Sequence, residues 1–144
     1  MYSSGILSQE KKIEKLYSVN MYSVSVDAEF SAAHFLSHYQ GKCEQLHGHN
    51  YRVRLWAKGK ELNEGGMLVD FALLKDVLRK VCKTLDHTNL NDNSVFAGDP
   101  SAERIARHIF DEVFRLLSPE TAGLLNAVDV YETPTSMARY ERDN

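Results

Sequence analysis

Cys43-Glu-Gln-Leu-His-Gly-His-Asn-Tyr-Arg-Val-Arg-Leu-Trp-Ala-Lys-Gly59 is the stretch on which the fold turns. From His47 onward its residues alternate. His47, His49, Tyr51, Val53, Leu55 and Ala57 share one parity, and Gly48, Asn50, Arg52, Arg54 and Trp56 share the other. In an extended chain residues i and i+2 point to the same side, whereas two residues spaced that way cannot share a helix face. The pattern predicts a strand over 47–60 with one apolar face and two imidazoles at its end.

Upstream, Tyr22, Val24, Val26, Ala28 and Phe30 alternate with Ser23, Ser25, Asp27 and Glu29. This is the signature of a half-buried antiparallel strand, and Ser31 to His34 continues it. His34 falls on the apolar parity, where an unligated imidazole is awkward. A loop over 35–42, containing Gly41, then delivers Cys43. Three imidazoles with an open fourth position are the usual arrangement of a catalytic zinc, whereas structural zinc is closed by four ligands, mostly thiolates. His34, His47 and His49 are therefore the candidate metal ligands. Cys43 is placed to act as nucleophile or base beside them. The plainer alternative is that His47 and His49 merely decorate a polar strand face.

Downstream, Gly59 and Gly65-Gly66 bracket a turn, and Met67 to Val69 reads as a short extended piece. Asp70 is a natural N-cap for a helix to about Leu85, with Leu74, Val77, Leu78, Val81, Cys82 and Leu85 as its apolar stripe. Cys82 is read as a small core residue. Asp86-His87 follows the helix and has two readings: a C-terminal cap with an Asx turn, or a carboxylate–imidazole pair. Asp99-Pro100 predicts the start of a second helix, with Ile105, Ile109, Val113, Leu116 and Leu117 buried and Ser118-Pro119 at its end. His108 lies off that stripe, as a solvated residue. Leu124 to Glu132 and Ser136 to Arg142 read as a hairpin of strands. Glu132 is either a surface strand-end residue or a carboxylate that clamps an amidine-like pair of N–H groups.

The predicted order is strand, strand, helix, helix, strand, strand. That is an α+β domain with a four-stranded antiparallel sheet and both helices on one face. Long sheet edges of that kind invite closure by assembly.

The chain of 144 residues suits one domain, 21–144, behind a polar extension, 1–20, that forms a helical turn or two or stays disordered. Its apolar runs are too short to span a bilayer. A formal net charge of −3 gives no bulk attraction to nucleic acid or to an anionic membrane. The N-terminus lacks a signal-peptide core, and two cysteines are too few for a disulfide scaffold. The expected setting is the cytoplasm, with free thiols.

Taken together, these residues resemble the 6-pyruvoyltetrahydropterin synthase and 6-carboxytetrahydropterin synthase family. The resemblance runs from about Tyr22 to Arg142. It is carried by Phe30-Ser-Ala-Ala-His34, Cys43-x-x-x-His47-Gly-His49-Asn50-Tyr51, Val69-Asp70-Phe71, Leu85-Asp86-His87-x-x-Leu90-Asn91, Pro100-Ser-Ala-Glu103 and Tyr131-Glu132-Thr133. It implies the tunnelling fold, in which the sheets of three subunits close into a barrel and two trimers stack into a hexamer with sites between subunits. It implies Zn2+ on His34, His47 and His49, Cys43 as base or nucleophile, and Asp86 and His87 as proton-relay partners. Glu132 would anchor the pterin ring.

Three residues between Cys43 and His47 resemble the bacterial carboxy-pterin branch. The reaction this implies is conversion of 7,8-dihydroneopterin triphosphate to 6-carboxy-5,6,7,8-tetrahydropterin, with release of acetaldehyde and triphosphate, on the route to queuosine. Lys42, Arg52 and Arg54 are candidates to meet the triphosphate. Glu44, directly after Cys43, resembles a glutamate with which some relatives cleave the side chain to 6-hydroxymethyl-dihydropterin. A pyruvoyl-pterin synthase and a metal-stabilised binding protein are the other readings.

Overall fold

The computed structural model describes residues 3–17, 20–41 and 45–143. Helix α1 covers Ser3–Tyr17, and strands β1 (Tyr22–His34) and β2 (His47–Gly59) follow. Next come helix α2 (Phe71–Leu85), the two-residue strand β3 (Thr88–Asn89), helix α3 (Ala102–Leu116) and the single turn α4 (Pro119–Ala122). Strands β4 (Leu125–Thr133) and β5 (Ser136–Glu141) close the sequence of elements.

The strands form one five-stranded sheet in the order β3-β1-β2-β4-β5. The β1–β2, β2–β4 and β4–β5 pairs are antiparallel, and β3 runs parallel to β1 through Ala32 and Ala33. This corrects the four-stranded antiparallel sheet expected from the sequence: the fold is α+β with a mixed sheet. The element order also differs from strand-strand-helix-helix-strand-strand, because α1 precedes the sheet and β3 and α4 are inserted. β3 escaped the pattern analysis because it is a backbone event. The His87 N–H donates to the Ser31 carbonyl at 2.6 Å, which lays the chain leaving α2 along the edge of β1.

Strand parity came out as the alternation required. Val26, Ala28, Phe30, Tyr51, Val53 and Leu55 are buried on the face covered by the helices. α2 packs on β1 through Leu74, Val77, Leu78, Val81 and Leu85, and α3 packs on β4 and β5 through Ile105, Ile109 and Val113. Burying each such side chain contributes about 1.5–3 kcal/mol. Cys82 belongs to this core, and burial first, then the nearby Asp86 charge, pushes its thiol up to about 12.

The helix ends sort into hits and misses. Asp70 caps α2 by accepting from the Ala72 N–H at 2.8 Å. α3 begins two residues later than expected, because Ser101, not Asp99, accepts from the Arg104 N–H. Asp99 is engaged by Ser37 and His38 instead. Ser118-Pro119 starts α4 as well as following α3, with Ser118 as N-cap and Pro119 at the first position. Met67 to Val69 is not a strand. His108 is half-buried, its ring edge-on to Phe96 with centroids 5.3 Å apart.

The helix-free face of the sheet is polar and paired. Asp27 takes a two-pronged contact from Arg54, at 2.7 and 3.0 Å. Asp129, 1% exposed, takes another from Arg139 at 2.6 and 3.0 Å, and accepts from Trp56 Nε1 at 2.7 Å. Arg52 lies over the Tyr131 ring, 3.9 Å from its centroid.

Candidate active site

The antiparallel register sets His34 directly across from His47, with Ala32 across from His49. All three imidazoles therefore leave the sheet on its helix-covered side, at the end where the apolar face runs out. Their rings meet edge to face, with centroids 4.6, 5.1 and 4.8 Å apart. One nitrogen from each lies within 4.8 Å of the other two.

The far side of two rings is already committed. His34 Nδ1 is 2.8 Å from the Pro100 carbonyl oxygen, and His47 Nδ1 is 2.7 Å from that of Gln45. A carbonyl only accepts, so each Nδ1 donates to it and Nε2 is the nitrogen turned towards the other rings. Those two Nε2 atoms face each other at 3.0 Å. His49 Nε2 is buried and has no hydrogen-bond partner among the described residues. Burial first holds the His49 imidazole below its usual range; the Glu132 charge opposes this, and His34 and His47 reinforce it. Three imidazoles with ring nitrogens this close together fit a bound metal ion.

Glu132 stands at the same place. It follows Val128 and Val130 on the inward face of β4, and its Oε1 is 3.5 Å from His34 Nε2. It also lines a cleft of about 210 Å³ with Leu36, Glu103, Ser136 and Met137, at the start of α3. Glu103 is a residue to which the sequence reading gave no role, although it lies inside one of the quoted motifs. The Tyr51 hydroxyl, fully buried and with its ring edge-on to His34 and His49, has no partner among the described residues either; burial and then the Glu132 charge push its pKa well above the usual phenol range.

Asp86 and His87 are in contact, with His87 Nδ1 2.8 Å from Asp86 Oδ2. The other Asp86 oxygen accepts from the Ser31 N–H at 2.8 Å. Both readings of this dipeptide have a structural counterpart, since Asp86 is also the C-cap of α2, its N–H donating to the Cys82 carbonyl. The Ser31 contact first, then His87, holds the Asp86 carboxyl below the usual carboxylate range. His87 is exposed and borders a recess of about 510 Å³ with Ser31, Ala33, Gly48 and Asn50. Among the described residues, no hydrogen bond or ion pair joins Asp86 or His87 to the three histidines within one chain. Arg52 and Arg54 are on the helix-free face, away from the imidazoles, with the Arg54 guanidinium held by Asp27. Lys42, Cys43 and Glu44 lie outside the described residues.

A trio of imidazoles that could hold a metal ion thus stands beside a small cleft carrying two carboxylates. The chain belongs to the 6-pyruvoyl tetrahydropterin synthase family, whose profile matches residues 23–143. It is 41% identical over 127 residues to 6-carboxy-5,6,7,8-tetrahydropterin synthase of Synechocystis, covering 83% of this chain and 93% of that one. It is 36% identical over 126 residues to the enzyme of that name from Bacillus subtilis, covering 83% and 84%. The fold matches the structure of Caenorhabditis elegans 6-pyruvoyl tetrahydropterin synthase with a TM-score of 0.77 at 28% identity, covering 86% of this chain and 97% of that one. A Plasmodium vivax 6-pyruvoyltetrahydropterin synthase, solved with a catalytic glutamate replaced by alanine, matches with a TM-score of 0.71 at 26% identity, covering 87% and 99%. The protein is an enzyme, a lyase similar to 6-carboxytetrahydropterin synthase, and relatives so named support a pterin synthase activity. No helix among the described residues is long and apolar enough to cross a membrane.

Proposed function

We propose that this enzyme converts 7,8-dihydroneopterin triphosphate and water to 6-carboxy-5,6,7,8-tetrahydropterin, acetaldehyde and triphosphate, in the cytoplasm and on the route to queuosine. The observation that carries the reading is the convergence of His34, His47 and His49 within 4.8 Å beside the cleft that holds Glu132. The carboxy-pterin names of its bacterial relatives support the choice of product.

His34, His47 and His49 would hold Zn2+ through the nitrogens that are free of carbonyl partners. Such an ion, when bound, supplies Lewis acidity that makes side-chain hydroxyls easier to deprotonate. Glu132 binds the amino-pyrimidine edge, since a carboxylate accepts two parallel N–H donors at once. Glu103, in the same cleft, adds a second acceptor. Cys43, as thiolate, takes a carbon-bound proton from the substrate side chain. His87, oriented by Asp86, takes or returns a proton at the other end.

Asp86 and His87 serve the site of a neighbouring subunit on this reading. Two features favour assembly. The β1 edge from Tyr22 to Glu29 carries no strand within the described chain, and β5 forms the other edge of the sheet. Edge-to-edge pairing of three copies, and stacking of two trimers, gives a homohexamer.

Incubation of the zinc-loaded enzyme with 7,8-dihydroneopterin triphosphate, with products identified by mass, is the test. Carboxy-pterin with acetaldehyde is the expected outcome. A second reading, side-chain cleavage to 6-hydroxymethyl-dihydropterin through Glu44, draws support from the Plasmodium vivax neighbour with its catalytic glutamate. A hydroxymethyl product would establish that reading and overturn the first.

A further inference from the structure

We propose that Asn91 is a positioning residue for the three-histidine site. It acts through the chain on both sides of the contact that aims His34.

His34 is the last residue of β1, and the parallel pairing with β3 has already ended at Ala33. Beyond that point Asn91 takes over from the sheet. Its Oδ1 accepts from the Phe35 N–H at 2.8 Å, and its Nδ2 donates to the Phe35 carbonyl at 2.9 Å. A side-chain amide thus reproduces the double exchange that a strand neighbour makes. Nδ2 also donates to the Gly98 carbonyl at 3.0 Å. Phe35 directly follows His34, and Gly98 stands two residues before Pro100, whose carbonyl oxygen is 2.8 Å from His34 Nδ1. One carboxamide therefore ties together the two backbone segments whose separation sets the His34–Pro100 bond. Asn91 is itself seated by Asn89, whose Oδ1 accepts its N–H at 3.2 Å, and by the fully buried Leu90.

The link from Asn91 to chemistry is the tautomer of His34. An imidazole held at Nδ1 by a carbonyl presents Nε2 outward in a fixed direction, and losing such a support costs a metal site about 10–100-fold in affinity. Asp99, by comparison, holds Ser37 and His38 further along the loop and does not touch Phe35.

This inference rests on the metal reading above, and the experiment separates the two. Full-length metal-free protein is titrated with Co2+ and with Zn2+ for wild type, Asn91→Ala, Asn91→Asp and the control Asn93→Ala. Asn93 lies in the same loop, and its side chain accepts the local Val95 N–H at 3.2 Å and makes no other hydrogen bond among the described residues. The expected result is a loss of about 10–100-fold in metal affinity for both Asn91 variants and none for the control. The metal-free melting temperatures should stay within a few degrees of one another, and a His34 Nδ1 proton protected in wild type should exchange faster in the Asn91 variants. Wild-type affinity in both Asn91 variants would overturn the inference alone. So would a loss that only follows a lost metal-free fold. Should Asn91→Ala not fold without metal, Asn91→Asp decides by the same criteria, since it keeps the shape and the Phe35 N–H contact. A wild-type protein that takes up neither ion would refute the metal reading itself, and this inference with it.

Discussion

His87 Nδ1 lies 2.8 Å from Asp86 Oδ2 although the two residues are neighbours in the chain, and His87 reaches it from a left-handed backbone with φ of 56°. That conformation is uncommon outside glycine, and residues held in it cluster at functional positions. The strand contact of the His87 N–H with Ser31 is what keeps it there.

Replacement of His87 by Ala should lower kcat about 10²–10⁴-fold, the usual range for a proton-transfer group, with metal content unchanged. In the same variant the Asp86 carboxyl should titrate closer to the ordinary carboxylate range, followed by carboxyl NMR. Full activity in H87A would remove the pair from the mechanism.

Stripping divalent ions should abolish pterin turnover and re-addition should restore it. Binding also stabilises the folded chain: metal supplied at 1,000 times its dissociation constant should add about 4 kcal/mol, read as a rise in melting temperature. His49→Ala should lose that rise, because it removes the buried nitrogen that has no partner among the described residues.

Arg139 should matter for stability more than its surface position suggests. Burial pushes the Asp129 carboxyl up, but the Arg139 and Trp56 hydrogen bonds and the Arg139 charge outweigh it and hold the carboxyl below its usual range. Breaking a fully buried pair costs about 3–5 kcal/mol. The Arg139 side chain is 42% exposed, so R139A should cost less, about 2 kcal/mol, by urea melts near pH 7. The sign with pH follows: the stabilisation is complete above the unfolded carboxylate value of about 3.9 and is lost as pH falls through the lower folded value. R139A should therefore be closest to wild type in strong acid.

Asp99 supplies a second pH test. The hydrogen bond from His38 first, then that from the Ser37 hydroxyl, holds its carboxyl down to about 2. Its contribution should be intact above about pH 4 and disappear as pH falls towards 2. In His38→Ala the carboxyl midpoint should rise; a midpoint still near 2 would show that His38 does not hold it.

How much of this was legible beforehand follows from which interactions are local. Alternation along β1 and β2 carried the parity of His34, His47 and His49, because each strand buries one face and the period is two. The α2 stripe and its Asp70 cap were readable for the same reason. The start of α3 was misread because Asp99 spends its oxygens on Ser37 and His38, partners some sixty residues away in sequence. Asn91 and Glu103 gave no local signal: the first acts on backbone groups of Phe35 and Gly98, and the second joins Glu132 only through packing of α3 on the sheet. The fifteen-residue α1 was expected as a turn or two at most, since its polar sequence has no strong apolar stripe.

The His34–His47 pairing across β1 and β2 has a consequence for how this enzyme can change over evolutionary time. A single-residue insertion or deletion inside β2 would set His47 and His49 on the opposite side of the sheet from Tyr51 and Val53, and one inside β1 would do the same to His34 relative to Ala28 and Val26. Loss of chemistry and loss of folding would arrive in one event, so lineages can vary the flanking connections freely but must inherit the spacing inside these two strands intact.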